Sequence, residues 1–106
     1  MIFKDNWRRI KSGQATALAI PVADTTREKW ERGTEIPVQP GVGQKSVCRI
    51  RVKDLNAMQL NDMTLWQILC LGYSSREEFI GAWDAAHDVR VGDNPRIWYI
   101  QIARVP

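Results

Sequence analysis

The sequence predicts an α+β fold, a mostly antiparallel sheet or small barrel with about three flanking helices. Three observations carry this expectation. The segment SVCRIRVKDL alternates apolar and charged residues with the two-residue period of a half-buried strand. The chain closes on RIWYIQIARV, a run rich in β-branched and aromatic side chains. Between them lie two segments with helical spacing of apolar residues, so strands flank a helix pair rather than alternating regularly with helices.

Taken in order, residues 4–12 (KDNWRRIKS) predict a short helix with Trp7 and Ile10 inward and Arg8, Arg9 and Lys11 outward. Asp5 or Asn6 is its expected cap, and Gly13 its expected end, because glycine tolerates a left-handed residue. The small apolar run 14–20, stopped at Pro21, predicts a buried strand. Residues 21–33 are charged and punctuated by proline and glycine, which predicts a loop with one helical turn at Thr25–Arg32. TEIPVQPGVGQK predicts a short edge strand, since Pro37 and Pro40 withhold ladder donors. In the strand 46–53, Cys48, Ile50 and Val52 face one way and Val47, Arg49, Arg51 and Lys53 the other. A helix is expected over 62–71, capped by Asn61 or Asp62, with Leu65, Ile68 and Leu69 on one face and Gly72 at its end. A second is expected over 75–87, opened by a Ser74–Glu77 capping box, with Phe79, Ile80, Trp83 and Ala86 as its apolar stripe. The strand 96–104 follows a Gly92-Asp93-Asn94-Pro95 turn.

The 106 residues suit one domain, 1–106, and a chain of this size buries about 65% of its unfolded surface without a disulfide or metal. An apolar fraction of 44% and a charged fraction of 25% exclude wholesale disorder, collagen and coiled coil. No apolar run approaches the ~20 residues that span a bilayer, and no signal-peptide pattern opens the chain. Cys48 and Cys70 lack any metal-ligand or redox spacing and read as reduced core thiols, so a cytoplasmic monomer is expected. One histidine and two such cysteines make no zinc site, and there is no phosphate-binding glycine loop; no metal or cofactor is expected. The net charge of +3 is unevenly spread. Residues 1–53 carry eleven Lys/Arg against five Asp/Glu, and residues 54–106 carry four against seven. A basic half suits a polyanion, with ordinary solubility as the plain alternative.

Four segments in order, IKSGQATALAIP, CRIRVKDL, LCLGYSSREEFIGAW and NPRIWYIQI, resemble the ASCH domain family, and in particular its phage- and prophage-encoded members. The resemblance spans residues 1–104 and implies a β-barrel related to the RNA-binding PUA fold. The family motif Gly-x-Lys-x-x-Glu/Thr-x-Arg, aligned on Gly13, puts Ala15, Leu18 and Ile20 at its polar positions. Some members resemble N4-acetylcytidine amidohydrolases that use the lysine, the threonine and a glutamate whose counterpart here is Leu71, with Glu77 and Glu78 nearby. Thr16 alone keeps a trace of the common Lys-Thr pair. The resemblance therefore implies the fold and argues against that chemistry.

The candidate ligand-binding residues are basic and aromatic. Trp30, in REKWERG, is flanked by charges in a loop that the resemblance places beside the cleft. Exposed, it would stack on a base while Arg27, Lys29 and Arg32 met phosphate; the alternative is a tryptophan folded back over the barrel mouth. Trp7, Trp66, Trp83 and Trp98 lie among apolar neighbours and are expected in the core. Arg49, Arg51 and Lys53 form a basic stripe about 13 Å long, continuous with Arg8, Arg9 and Lys11 if the first helix packs beside that strand. Lys11 and Thr16 complete the set. His87 reads as a packed residue at a helix C-terminus, where it complements the dipole. Three functions follow: a non-catalytic module binding RNA, single-stranded nucleic acid or a nucleotide; a modified-nucleoside hydrolase with relocated catalytic residues; and a phage accessory protein that binds a protein partner. Apolar Ala15, Leu18 and Ile20 favour the first and third.

Overall fold

Helix α1 (Trp7–Ser12) ends where expected: Gly13 takes a φ of 83° and its N–H bonds the Ile10 carbonyl at 3.2 Å. In the computed structural model, which describes residues 3, 6–22 and 30–106, the chain continues through β1 (Ala17–Pro21), β2 (Glu35–Val38) and β3 (Cys48–Gln59). Then come α2 (Leu65–Cys70), α3 (Arg76–Ala86) and β4 (Arg96–Val105). Short 3₁₀ turns at Leu60–Asp62 and Val91–Asp93 join β3 to α2 and α3 to β4. The expected Asp5 cap and most of the Thr25–Arg32 turn lie outside the described residues.

The four strands form one antiparallel sheet in the order β1-β4-β3-β2. The predicted barrel is not closed: β1 and β2 are the two edges and do not pair among the described residues. Both edges are short, and Pro21 and Pro37 bring no N–H with which to extend a ladder. Strand β3 runs six residues beyond the predicted 46–53 segment, because β4 pairs with it as far as Gln59–Arg96. The register slips once, with Val52 opposite Ile102 and Asp54 opposite Gln101, so Lys53 is the extra residue of a bulge.

Both faces of the sheet are used. On the first, Leu18, Ile20, Ile36, Val38, Ile50, Val52, Ile100 and Ile102 pack with Ile10 of α1 and with Phe3. On the second, Ala17, Ile97 and Tyr99 pack with Ile68 and Leu71 below α2 and with Phe79 and Trp83 of α3. This explains why β1 and β4 read as nearly continuous apolar runs whereas β3 begins with strict alternation. Helices α2 and α3 cover only one end of the second face. At the other end Arg49 and Arg51 are exposed, while Ile50 and Val52, which alternate with them, are fully buried on the first.

Asn6 precedes α1 as its expected N-cap, but the starts of α2 and α3 are displaced from their expected positions. Thr64, not Asn61 or Asp62, caps α2: its hydroxyl accepts from the Gln67 N–H at 3.2 Å, and the Gln67 side chain accepts from the Thr64 N–H at 2.8 Å. Ser75 caps α3 by accepting from the Glu78 N–H at 3.1 Å, one residue later than the expected box. Ser74 instead donates its hydroxyl to the Glu78 carboxylate. That bond and the neighbouring Arg9 guanidinium hold the Glu78 carboxyl below its ordinary range. Phe79 and Trp83 are buried as expected, Ile80 is half-buried, and Ala86 is exposed. His87 stacks on Trp83 with centroids 3.8 Å apart, at the end of α3.

Candidate nucleic-acid interface

Where α2 meets the uncovered end of the second sheet face, it overhangs a cavity of about 620 Å³. The floor is the sheet, with Ala17 of β1 and Tyr99, Gln101 and Ala103 of β4; Lys53 stands at one side and Trp66 of α2 at another. The roof is held by its own carbonyls. A helix leaves its last C=O groups without internal partners, and here the Tyr99 hydroxyl donates to the Gln67 carbonyl at 3.0 Å while the Thr16 N–H donates to that of Cys70 at 2.7 Å. The same burial that makes Tyr99 a floor residue pushes its phenol pKa upward, so the hydroxyl stays a donor.

The predicted basic stripe exists on this face. Arg49, Arg51 and Lys53 lie in sequence along β3, and Lys53, at the bulge, borders the cavity. Two of the three cations share an anion: Glu35 of β2 lies 3.2 Å from Arg51 and 3.9 Å from Arg49. One carboxylate between two guanidiniums leaves positive charge over, and Lys53 adds to it, having no ion-pair partner among the described residues. Arg32 bonds Asp54 at 2.9 and 3.2 Å. That guanidinium, with the Leu55 N–H, holds the Asp54 carboxyl below its ordinary range.

The structure brings together only some of the predicted site residues. Thr16 and Lys53 both line the cavity, with Arg49 and Arg51 extending from it. Lys11 does not join them: α1 packs Ile10 into the first core cluster, on the sheet face opposite Arg49 and Arg51, so the continuous patch with Arg8 and Arg9 is not formed. Arg9 instead reaches over Tyr73, 4.6 Å from its ring centre, and bonds Glu78 at 3.4 Å. Arg27 and Lys29 lie outside the described residues. Trp30 is half-buried and packs against the first core cluster, the folded-back alternative rather than the exposed plane. Apolar neighbours that its charged flanks do not reveal reach it through the tertiary fold.

The exposed tryptophan is a different one. Trp66 is 72% exposed, and Leu65 and Leu69 beside it are 53% and 38% exposed, against the expectation of core positions for all three. A six-residue helix buries little more than one residue per turn, and here Ile68 takes that place. Gln101 is the other residue that sequence reasoning missed. It sits within an apolar strand, the one strongly polar side chain between Ile100 and Ile102, and that interruption is the signal that it faces solvent.

No family model matches the chain, and no curated protein does. Solved structures do. The fold superposes on the ASCH domain from Lactobacillus crispatus with a TM-score of 0.70 at 12% identity, over 92% of this chain and 69% of that one. The fold is ASCH-like. Protein EF3133 from Enterococcus faecalis, of family DUF984, matches with a TM-score of 0.67 at 14% identity, over 93% of this chain and 66% of that one. The hypothetical protein PH0355 matches with a TM-score of 0.67 at 17% identity, over 99% and 96% of the two chains. In this ASCH-like fold, Ala15, Leu18 and Ile20 are 4%, 3% and 7% exposed and belong to the first core cluster. The positions where the sequence departs from the family motif are thus core positions, on the opposite side of the sheet from Arg49 and Arg51.

Proposed function

We propose that this protein is a non-catalytic module that binds single-stranded nucleic acid, RNA foremost, or a nucleotide, on the second face of its sheet. The observation that carries the reading is the row Arg49, Arg51, Lys53, which keeps positive charge after Glu35 is satisfied and leads into an open cavity. Cations along an extended strand meet successive phosphates without demanding a sequence, and displaced counterions supply the affinity. The ASCH-like fold supports the same reading. The hydrolase alternative lacks support at the positions its relatives use, because Ala15, Leu18 and Leu71 are apolar and buried. The reading takes the protein as a cytoplasmic monomer of phage or prophage origin.

A titration of RNA and single-stranded DNA at several salt concentrations tests it. Affinity should fall with salt with a log–log slope of roughly −0.7 per phosphate contact. Charge reversal of the pair, Arg49→Glu with Arg51→Glu, should weaken binding and flatten that slope by about 1.4, two contacts' worth, while the circular dichroism spectrum at 25 °C keeps its folded form. Absence of binding to any strand at low salt, or binding that ignores salt, would overturn the proposal in favour of a protein partner.

A further inference from the structure

We infer that the cavity between α2 and the sheet holds the base of one nucleotide unit, stacked on Trp66 and read by the side-chain amide of Gln101, with its phosphate on Lys53. This rests on the nucleic-acid reading above and assigns the part of it that selects a base. Three groups of different chemistry border the same space, and none has a hydrogen-bond, ion-pair or ring partner among the described residues: an indole, a primary amide and an ammonium. Each needs something different from a ligand. The indole offers a flat apolar plane, the amide offers two donors and an acceptor, and the ammonium wants an anion. An inorganic anion would use only Lys53, and an apolar ligand only Trp66. A nucleobase bearing phosphate uses all three.

Size and rigidity agree. The cavity, about 620 Å³, lies within the usual range of small-molecule sites, ~300–1,000 Å³. Its floor is apolar where a base would lie, at Ala17 and the Tyr99 ring, and polar toward Gln101. Trp66 is carried on a helix fixed at its start by the Thr64–Gln67 capping box and near its end by Tyr99 and Thr16. The stacking plane is therefore placed before the ligand arrives, which lowers the ordering cost of binding. Lys53 borders the cavity at the point where β3 bulges. Arg51 and Arg49 then continue the row away from the cavity, as the neighbouring phosphates of a strand would require.

The test compares four proteins, wild type, Trp66→Ala, Gln101→Ala and the Arg49→Glu/Arg51→Glu pair, against a short RNA strand, an abasic strand of the same backbone, and adenosine monophosphate. Trp66 is largely exposed, so its alanine variant keeps the fold, and Trp66→Phe should recover part of the binding. Trp66→Ala should weaken the base-bearing strand about 5- to 150-fold, the range measured for loss of one base stack, and leave the salt slope unchanged. The abasic strand should bind wild type weaker by a similar factor and be indifferent to Trp66→Ala. Gln101→Ala should level the preference among homopolymeric strands. Competition by adenosine monophosphate assigns the cavity to a free nucleotide; failure to compete, with the Trp66 effect kept, assigns it to a residue of a strand. Equal binding of abasic and base-bearing strands, untouched by Trp66→Ala, would overturn the base site and leave the strand-binding face standing. No binding to any of the three probes would overturn both.

Discussion

Ala15 shows how tightly a single small side chain is enclosed. It is 4% exposed, its N–H donates to the Arg9 carbonyl at 2.9 Å, and its methyl lies against Gly72. Gly72 has a φ of 98°, and a Cβ there would come within 2.8 Å of the Arg9 side chain. A longer residue at 15 would have to push into the first core cluster. Ala15→Lys would bury an ammonium without a partner, or force it to give up its proton, and should destabilise the fold by about 3–5 kcal/mol in urea titrations. Two surface carboxylates set the response to acid. Asp54 and Glu78 are both held below their ordinary values of 3.8 and 4.5, the first chiefly by the Arg32 hydrogen bond and the second chiefly by Ser74. A depressed folded pKa means that the unfolded chain takes up the proton first. Their contribution is complete at neutral pH and is lost as pH falls below those ordinary values. The thermal midpoint should drop over that window, and Asp54→Asn with Glu78→Gln should reduce the drop.

Helix α2 matters at the scale of elements because it does two jobs with six residues. Ile68, fully buried, seats it on the sheet, while Trp66 and Leu69 face out. These roles predict opposite sensitivities. Ile68→Ala should cost about 2–5 kcal/mol, the sum of lost transfer energy and a cavity, whereas Trp66→Ala should change stability by no more than ~0.5 kcal/mol; parallel denaturation of the two variants checks this. The helical spacing of Leu65, Ile68 and Leu69 is visible in the sequence, but which of them meets the sheet depends on how Tyr99 and Thr16 hold the helix carbonyls. Similarly, alternation marks β3 only as far as Lys53, where its uncovered face is charged. Beyond Asp54 the residues Asn56, Met58 and Gln59 carry weak strand preference, and pairing with β4 keeps them extended.

For the whole molecule, the distribution of charge and apolar surface gives the sheet two unlike faces. The first is filled with aliphatic side chains from both edges to the centre. The second is closed by α2 and α3 at one end and open and cationic at the other. Catalysis of the amidohydrolase kind needs an amine and a hydroxyl or carboxylate partner, each typically worth about 10²–10⁴ in rate. Ala15 and Leu18 supply neither. Purified protein should therefore leave N4-acetylcytidine intact under conditions in which an N4-acetylcytidine amidohydrolase cleaves it, and chromatographic detection of cytidine at comparable rates would show that other residues supply the chemistry.

Local pattern was enough to determine the class of fold, the kinds and order of its elements, the edge position of β2 and the end of α1 at Gly13. These follow from backbone sterics and from the period at which apolar residues recur, both of which act between near neighbours in sequence. The tertiary structure alone decided which tryptophan is exposed. Trp30 has charged neighbours in sequence and apolar ones in space, while Trp66 has apolar neighbours in sequence and solvent in space. It also decided that Lys11 and Arg49 lie on opposite faces of the sheet, and that Lys53 and Gln101 border one cavity with α2. Solvent exposure and convergence at a site are properties of long-range packing, and period alone does not say which face of a short helix or which end of a strand its neighbours will cover.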